Sequence, residues 1–229
     1  MFNTIMFFVT AIVTFGSLVI VSHIFGKEGI YAWIGMAVVV ANVLVCKCVD
    51  IFGLSATLGN VLFGTVFLAT DILTEKYGVK SARKAVWIGV SIEVVSLILT
   101  QIGIIFTPNG LDAVHSSMTN LFGLFPRTTL ASISMFILSN QLDIYIFDKL
   151  KSKTKGKHMW LRNNVATIVS QCIENFLFYI IAFIGIYGIN DIVTMTLTCC
   201  IIEIVVSLLD TPFLYFAVKL NKKENKNEN

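Results

Sequence analysis

Fourteen acidic residues occur in a chain whose mean hydropathy is +0.82, and eight of the acids lie in or at the ends of apolar stretches. These are Asp50, Asp71, Glu75, Glu93, Asp143, Glu174, Glu203 and Asp210, and the amides Asn42, Asn60, Gln101, Asn140, Gln141, Gln171 and Asn175 join them. An ionised side chain at the centre of a bilayer costs several kcal/mol, so acids there face a cavity or a partner. Their spacing is helical: Asn60, Gly64, Phe67, Asp71 and Glu75 recur every three or four residues and share one face. Asn140 and Asp143 are three apart, Gln171 precedes Glu174 and Asn175 by one turn, and Glu203 and Asp210 are two turns apart. A central cavity lined by carboxylates and amides suits a polar, planar or cationic solute with several donors. A guanine-like edge fits, because one carboxylate accepts from its ring N–H and its amino group together. The plainer alternatives are that Asp50, Glu75 and Asp143 reach water at helix ends, and that the amides bind helix to helix.

The elements that position these groups are apolar helices. Of the 229 residues, 56% are hydrophobic and 14% charged, well below the roughly 25% charge of a soluble domain. This excludes a disordered chain, a secreted disulfide scaffold and a nucleic-acid-binding domain. A bilayer crossing needs about 20 mainly apolar residues, and seven stretches qualify: Phe2–Phe25, Ile30–Val49, Leu54–Leu73, Ala85–Phe106, Thr128–Phe147, Val165–Gly188 and Ile192–Leu220. The third is the weakest, interrupted by Ser55, Thr57, Asn60, Thr65, Thr70 and Asp71. The expected fold is an all-α membrane protein: a polytopic bundle of about seven transmembrane helices, with a six-helix core and an extra N-terminal helix. Residues 1–220 form one transmembrane domain and 221–229 a polar cytoplasmic tail that frays. The first stretch lacks a basic n-region and exceeds an h-region in length, so it reads as a retained helix rather than a cleaved signal.

Charge placement predicts the orientation. Fifteen of the 17 basic residues fall in segments that seven crossings put on one side: Lys27; Lys76 to Lys84; Lys149 to Lys157 with Arg162; and Lys219 to Lys226. Only Lys47 and Arg127 fall elsewhere. Basic loops stay in the cytoplasm, so the N-terminus lies outside and the C-terminus inside, with no nucleic acid as partner. The five cysteines are read as small apolar residues, and His23, His115 and His158 have no ligand cluster beside them. No metal, cofactor or catalytic group is therefore expected, and there is no phosphate-cradling loop. Pro212 interrupts the last stretch, and Asp210-Thr211-Pro212 forms either a broken-helix binding site or a simple kink.

Four ordered motifs carry a resemblance. They are Phe67-Leu-Ala-Thr-Asp71-Ile-Leu-Thr-Glu75-Lys-Tyr-Gly78, with Ala82-Arg83-Lys84 and Trp87 after it; Gln141-Leu-Asp143-Ile-Tyr-Ile-Phe147; Trp160-Leu-Arg-Asn163-Asn164 running to Ser170-Gln171; and Leu209-Asp210-Thr211-Pro212-Phe213. From about Asn42 to Phe216 the chain resembles the queuosine precursor transporter family, earlier described as vitamin uptake transporters. The resemblance implies import of 7-deazaguanine bases across the bacterial inner membrane for tRNA queuosine salvage: 7-cyano-7-deazaguanine, 7-aminomethyl-7-deazaguanine or queuine. Two positions depart from the family's usual pattern, Glu174 where members often carry Asp and Glu203 where they often carry Lys, which bears on substrate preference. The substrate-binding set expected is Asn60, Asp71, Glu75, Asn140, Asp143, Gln171, Glu174 and Asp210. Proton coupling through buried carboxylates is one expectation for the energy source. The alternative reading is a substrate-capture subunit of an ATP-energised vitamin-type system. The partners are the solute and the lipid bilayer, and homo-oligomerisation is left open.

Overall fold

The computed structural model describes residues 2–123, 125–183 and 188–227; the side chains of residues 48, 54–57, 125–128, 130–131, 182–183, 191 and 221–227 lie outside the description. Eight helices and one hairpin are described: α1 (Phe2–Ile24), α2 (Gly26–Val45), β1 (Cys48–Ile51), β2 (Leu54–Thr57), α3 (Gly59–Tyr77), α4 (Val79–Ile105), α5 (His115–Phe122), α6 (Phe125–Lys153), α7 (Met159–Phe183) and α8 (Ile189–Asn227).

Five of these helices are long and apolar enough to cross a membrane: α1, α2, α4 and stretches of α7 and α8. The seven expected crossings correspond to seven long helices, but α3 and α6 do not meet that measure among the described residues. For α3 the reason is its position. It packs against α1, α2, α4, α6, α7 and α8, and most of its residues are buried all round. A helix surrounded by protein need not be apolar on every face.

The expected boundaries shift in several places. The end of the second stretch and the start of the third are not helical. They form an antiparallel hairpin pairing Cys48 with Thr57 and Ile51 with Leu54. Its two-residue turn, Phe52-Gly53, has φ of 56° and 78°, the paired positive values of a type I′ turn. Phe52 is a bulky residue in the left-handed region, and its ring packs on Phe7 and Phe8 with centroids 5.8 and 5.9 Å away. Helix α4 starts at Val79 rather than Ala85, α7 at Met159 rather than Val165, and α5 was not expected at all. Asp112 leads into α5 by accepting the N–H groups of Val114 and His115, each at 2.8 Å. These donors hold its carboxyl below the usual carboxylate range. Helix α8 runs unbroken through Pro212 and on to Asn227, where fraying was expected; residues 228–229 lie outside the described residues.

The N-terminal helix lies to one side, as its apolar stripe dictates. Phe7, Ala11, Phe15, Leu18, Val19 and Ser22 are buried at helical spacing, while Ile12, Val13 and Ile20 on the opposite face are exposed. It touches α2, α3 and α8. Across the next interface the Trp33 indole N–H donates to Thr65 Oγ1 at 3.0 Å, tying α2 to α3.

The basic segments gather at one end of the bundle. Lys151 Nζ reaches the carbonyls of Thr74 and Glu75 at 3.4 and 3.2 Å, joining the ends of α6 and α3. Tyr31 Oη donates to the Ser81 carbonyl at 3.3 Å, and Trp160 N–H donates to Tyr215 Oη at 3.2 Å. The starts of α2, α4 and α7 and the C-terminal half of α8 therefore share that end. Arg162 is the exception: it belongs not to a loop but to α7, and it is fully buried.

Another helix comes close to the central helix α3 at Gly64. A Cβ there would lie 2.4 Å from Val206 Cγ1 on α8, a stiff β-branched side chain that cannot swing aside. Gly64→Ala is expected to destabilise the bundle by about 1–3 kcal/mol through overpacking, read as a lowered melting temperature in detergent.

Candidate functional site

The centre of the bundle holds a knot of charge. Helix α3 presents Asp71 and, one turn on, Glu75; α6 presents Asn140 and Asp143; α7 presents Arg162, Asn163, Thr167, Ser170 and Gln171; α8 presents Asp210. Asp71, Asn140, Asp143, Arg162, Asn163 and Asp210 are wholly buried and Gln171 is nearly so.

Arg162 is the principal cation of this cluster. Its Nη2 lies 3.2 Å from Glu75 Oε2, and Lys151 Nζ meets the same oxygen at 3.1 Å. The guanidinium centre sits 5.1 Å from the Phe147 ring centroid, a cation–π contact. Burial this complete is rare for Arg unless it is paired. Even so, its Nε, Nη1 and Nη2 make no hydrogen bond beyond the ion pair with Glu75.

The carboxyls next to it are short of donors. Asp143 Oδ1 accepts from Thr167 at 3.2 Å and Ser170 at 3.4 Å, and Asp210 Oδ1 accepts from Asn163 at 2.6 Å. Asp143 Oδ2 and Asp210 Oδ2 have no donor, and neither oxygen of Asp71 has one. Asp71 faces Asp143, with Asp210 and Arg162 within electrostatic reach. An acceptor facing an acceptor makes no bond unless a proton or a donor lies between them. The amide oxygens of Asn140, Asn163 and Gln171 are likewise unpartnered. Four carboxyls thus stand against one guanidinium and one ammonium; Asp71, Asp143, Asp210 and Arg162 are wholly buried, while Glu75 and Lys151 are partly exposed.

The sequence motifs around the site divide between binding groups and framework. Asn164 donates to Thr211 Oγ1 at 2.8 Å and accepts from Ser207 at 3.3 Å, so the Asp210-Thr211-Pro212 motif clamps α7 to α8 in an unbroken helix. Of the eight residues expected to bind solute, Asp71, Glu75, Asn140, Asp143, Gln171 and Asp210 come together. Glu174 lies one turn beyond Gln171. Asn60 lies near the other end of α3, where its amide donates to Cys199 Sγ at 3.7 Å. The cysteines expected to be merely apolar make polar contacts here, since Tyr179 Oη also meets Cys199 Sγ at 2.9 Å. Lys47, expected near a span interior, is exposed in the turn after α2.

Sequence reasoning missed Arg162, Asn163, Thr167 and Ser170. The three polar residues were readable, because steps of three or four from Asn163 reach Thr167 and then Ser170 and Gln171 along one side of the helix. Arg162 was hidden by its place after a run of lysines. A concavity of about 240 Å3 lies apart from this cluster, between α4 and α5 at Thr107, Pro108, Asn109 and His115. The carboxylates and amides expected to line a central cavity are buried, with several of their oxygens unpartnered.

Apolar helices wrapped round an occluded charged core define a multi-pass helical membrane protein. A family model described as "Putative vitamin uptake transporter" matches residues 57–217. The chain belongs to that family, which is one of transporters and not of enzymes. It is 39% identical over 221 residues to the "Probable queuosine precursor transporter" of Bacillus subtilis (strain 168), covering 96% of each chain. It is 26% identical over 145 residues to the "Queuosine precursor transporter" of Escherichia coli (strain K12), covering 62% of each chain. A relative of the same kind from Haemophilus influenzae is 27% identical over 134 residues, 58% of this chain and 54% of its own. No solved structure matches the chain.

Removing the buried cation should be costly, because it strands the carboxyls around it. Arg162→Met is expected to lose about 3–5 kcal/mol of stability and Glu75→Gln at least as much, since it leaves the wholly buried guanidinium without its carboxylate while Arg162→Met leaves Glu75 paired with Lys151. Thermal unfolding of both variants in the same detergent checks this order.

Proposed function

We propose that this chain imports queuosine precursors, 7-deazaguanine bases, across the inner membrane of a bacterium. Asp71, Asn140, Asp143, Gln171 and Asp210 line the solute path, with Arg162 beside them. One observation carries the reading: buried, donor-starved carboxylate and amide oxygens surround a buried guanidinium with N–H groups to spare. A guanine-type edge offers the complement, with a ring N–H and an amino group for a carboxylate and a carbonyl oxygen for an arginine. The names of the relatives support this class of solute. Within this reading the seven long helices all cross the bilayer. At about 1.5 Å per residue, the 19 residues of α3 span about 28 Å, close to the hydrocarbon thickness. The basic end faces the cytoplasm, which places the N-terminus outside.

The test uses a bacterium that neither makes nor imports these precursors. The chain is expressed, each base is supplied at low concentration, and queuosine is scored in tRNA. Rescue by at least one base is expected. Asp71→Asn and Arg162→Lys should reduce it by about tenfold or more, the worth of a hydrogen bond to a charged group. No rescue, with the protein present in the membrane, would overturn the proposal. Transport by the purified chain in liposomes separates it from a subunit that needs an energised partner.

The same carboxyls support proton coupling, since Asp71 and Asp143 are buried facing each other and a proton on one lets it donate to the other. Collapsing the proton gradient across proteoliposomes is expected to abolish accumulation of the base. Unchanged accumulation would exclude protons as the driving ion.

A further inference from the structure

Away from the central cluster, at the basic end of the bundle, two lysines from different helices converge on one ring. Lys27 on α2 holds its Nζ 5.6 Å from the centre of the Tyr31 ring, and Lys84 on α4 holds its own 5.9 Å from the same centre. Tyr31 is fixed in the crevice between the two helices, where its Oη donates to the Ser81 carbonyl at 3.3 Å. Further along this seam the helices press together. Gly35 packs on Ile92 with no room for a Cβ, and a Cβ at Gly89 would come 3.1 Å from Ile34 Cγ2. Among the described residues, neither Lys27 nor Lys84 makes an ion pair, whereas Lys151 at the same end is paired with Glu75. An ammonium resting on a ring still has N–H donors to offer an anion. Exposed Lys80 and Arg83, near the start of α4, add to the positive charge.

Beyond the lysines the crevice is flanked by exposed apolar side chains. Trp87, one turn after Lys84, is 56% exposed, and Trp is enriched where headgroups meet hydrocarbon. Past it, Met36 and Val40 on α2 and Ile92 and Val95 on α4 face outward. Both helices are long and apolar enough to cross a membrane. Tyr31 to Val40 covers about 14 Å of helix, close to the hydrocarbon depth of one leaflet, about 15 Å.

We infer that the crevice between α2 and α4 is a binding site for an anionic phospholipid, whose phosphate is met by Lys27 and Lys84 while an acyl chain lies along Met36, Val40 and Ile92. The site is independent of which solute the chain carries. A phosphodiester brings one negative charge and unesterified oxygens that accept from ammonium groups. A zwitterionic headgroup brings a cation of its own to a place that already holds two, so charge favours the anionic lipid. The Tyr31 ring keeps both lysines at the mouth of the crevice, and the apolar flanks below require a ligand with a chain as well as a phosphate.

The experiment titrates the full-length chain in detergent with phosphatidylglycerol or phosphatidylcholine of the same acyl chains, and native mass spectrometry counts the bound lipid. Phosphatidylglycerol is expected to bind about tenfold more tightly. Lys27→Gln and Lys84→Gln should each weaken it by about fivefold and leave phosphatidylcholine within about twofold, which reports an intact fold. Lys157→Gln, on the α6–α7 connection, and Lys219→Gln, on α8, should leave both lipids within about twofold, since salt screens distant charges. Glycerol 3-phosphate, which has the phosphate without the chain, should not displace the lipid at equal concentration. Equal affinity for the two lipids, or phosphatidylglycerol binding unmoved by Lys27→Gln and Lys84→Gln, overturns the site. So does equal loss in all four variants, which would mean a diffuse basic surface. Displacement by glycerol 3-phosphate would likewise overturn it in favour of a site for free phosphate.

Discussion

Everything else in this bundle is arranged around a charge that cannot reach water. Arg162 is fully buried, and Glu75 and Lys151 share one carboxylate oxygen with it at the basic end of the helices. In a low-dielectric interior an unpaired ion is strongly disfavoured, and a paired one tolerates little change in geometry. That demand explains why α3, α6 and α7 meet where they do. The end of α3 must present Glu75, the end of α6 must swing Lys151 over the last carbonyls of α3, and the first turn of α7 must carry Arg162 inward. The Phe147 ring completes the enclosure.

The second constraint is shielding. Helix α3 carries Asn60, Thr65, Thr70, Asp71 and Thr74 as buried groups, more than a lipid-facing helix could hold. It is tolerated because six other helices cover it, and because the hydroxyls of Thr65, Thr70 and Thr74 donate to carbonyls one turn back within the helix. Gly64 then lets α8 come close enough to seal the interior. The lipid is left with the faces that suit it: the outer sides of α1 and α4 and parts of α7 and α8, where exposed Ile, Leu, Val and Phe are concentrated. Inside, buried polar groups are set within an apolar core, and outside, apolar side chains are exposed, so the composition records only the average of the two.

Along the bundle the polar groups form a series of levels: Glu75 with Arg162, then Asp71 with Asp143 and Asp210, then, about one turn further on, Asn140 on α6 and Gln171 on α7. In the proposed function a solute exchanges partners from one level to the next, which requires each level to hold it without excess. The closed cluster around Asp71 fits an occluded state, in which internal partners such as Arg162 and Asn163 occupy some acceptors and leave others open.

Much of this was legible in the sequence. Apolar stretches of about 20 residues can only be satisfied as helices in a bilayer, so helical membrane architecture followed from composition and length. Helical spacing put Asp71 and Glu75 on one face and Gln171 beside Glu174, because that periodicity is a property of the backbone alone. The four ordered motifs were enough for a family resemblance. What the linear chain could not decide was the environment of each group. Hydropathy carries one membrane stretch on to Val49 and starts the next at Leu54, whereas the positive φ values of Phe52 and Gly53 and the pairing of two short strands make Cys48–Thr57 a hairpin. Arg162 reads as one more loop cation after Lys149 to Lys157, until the start of α7 at Met159 turns it into the core. A residue's type fixes what it can bond, and only the packing of several helices fixes whether water or another side chain will be there to meet it.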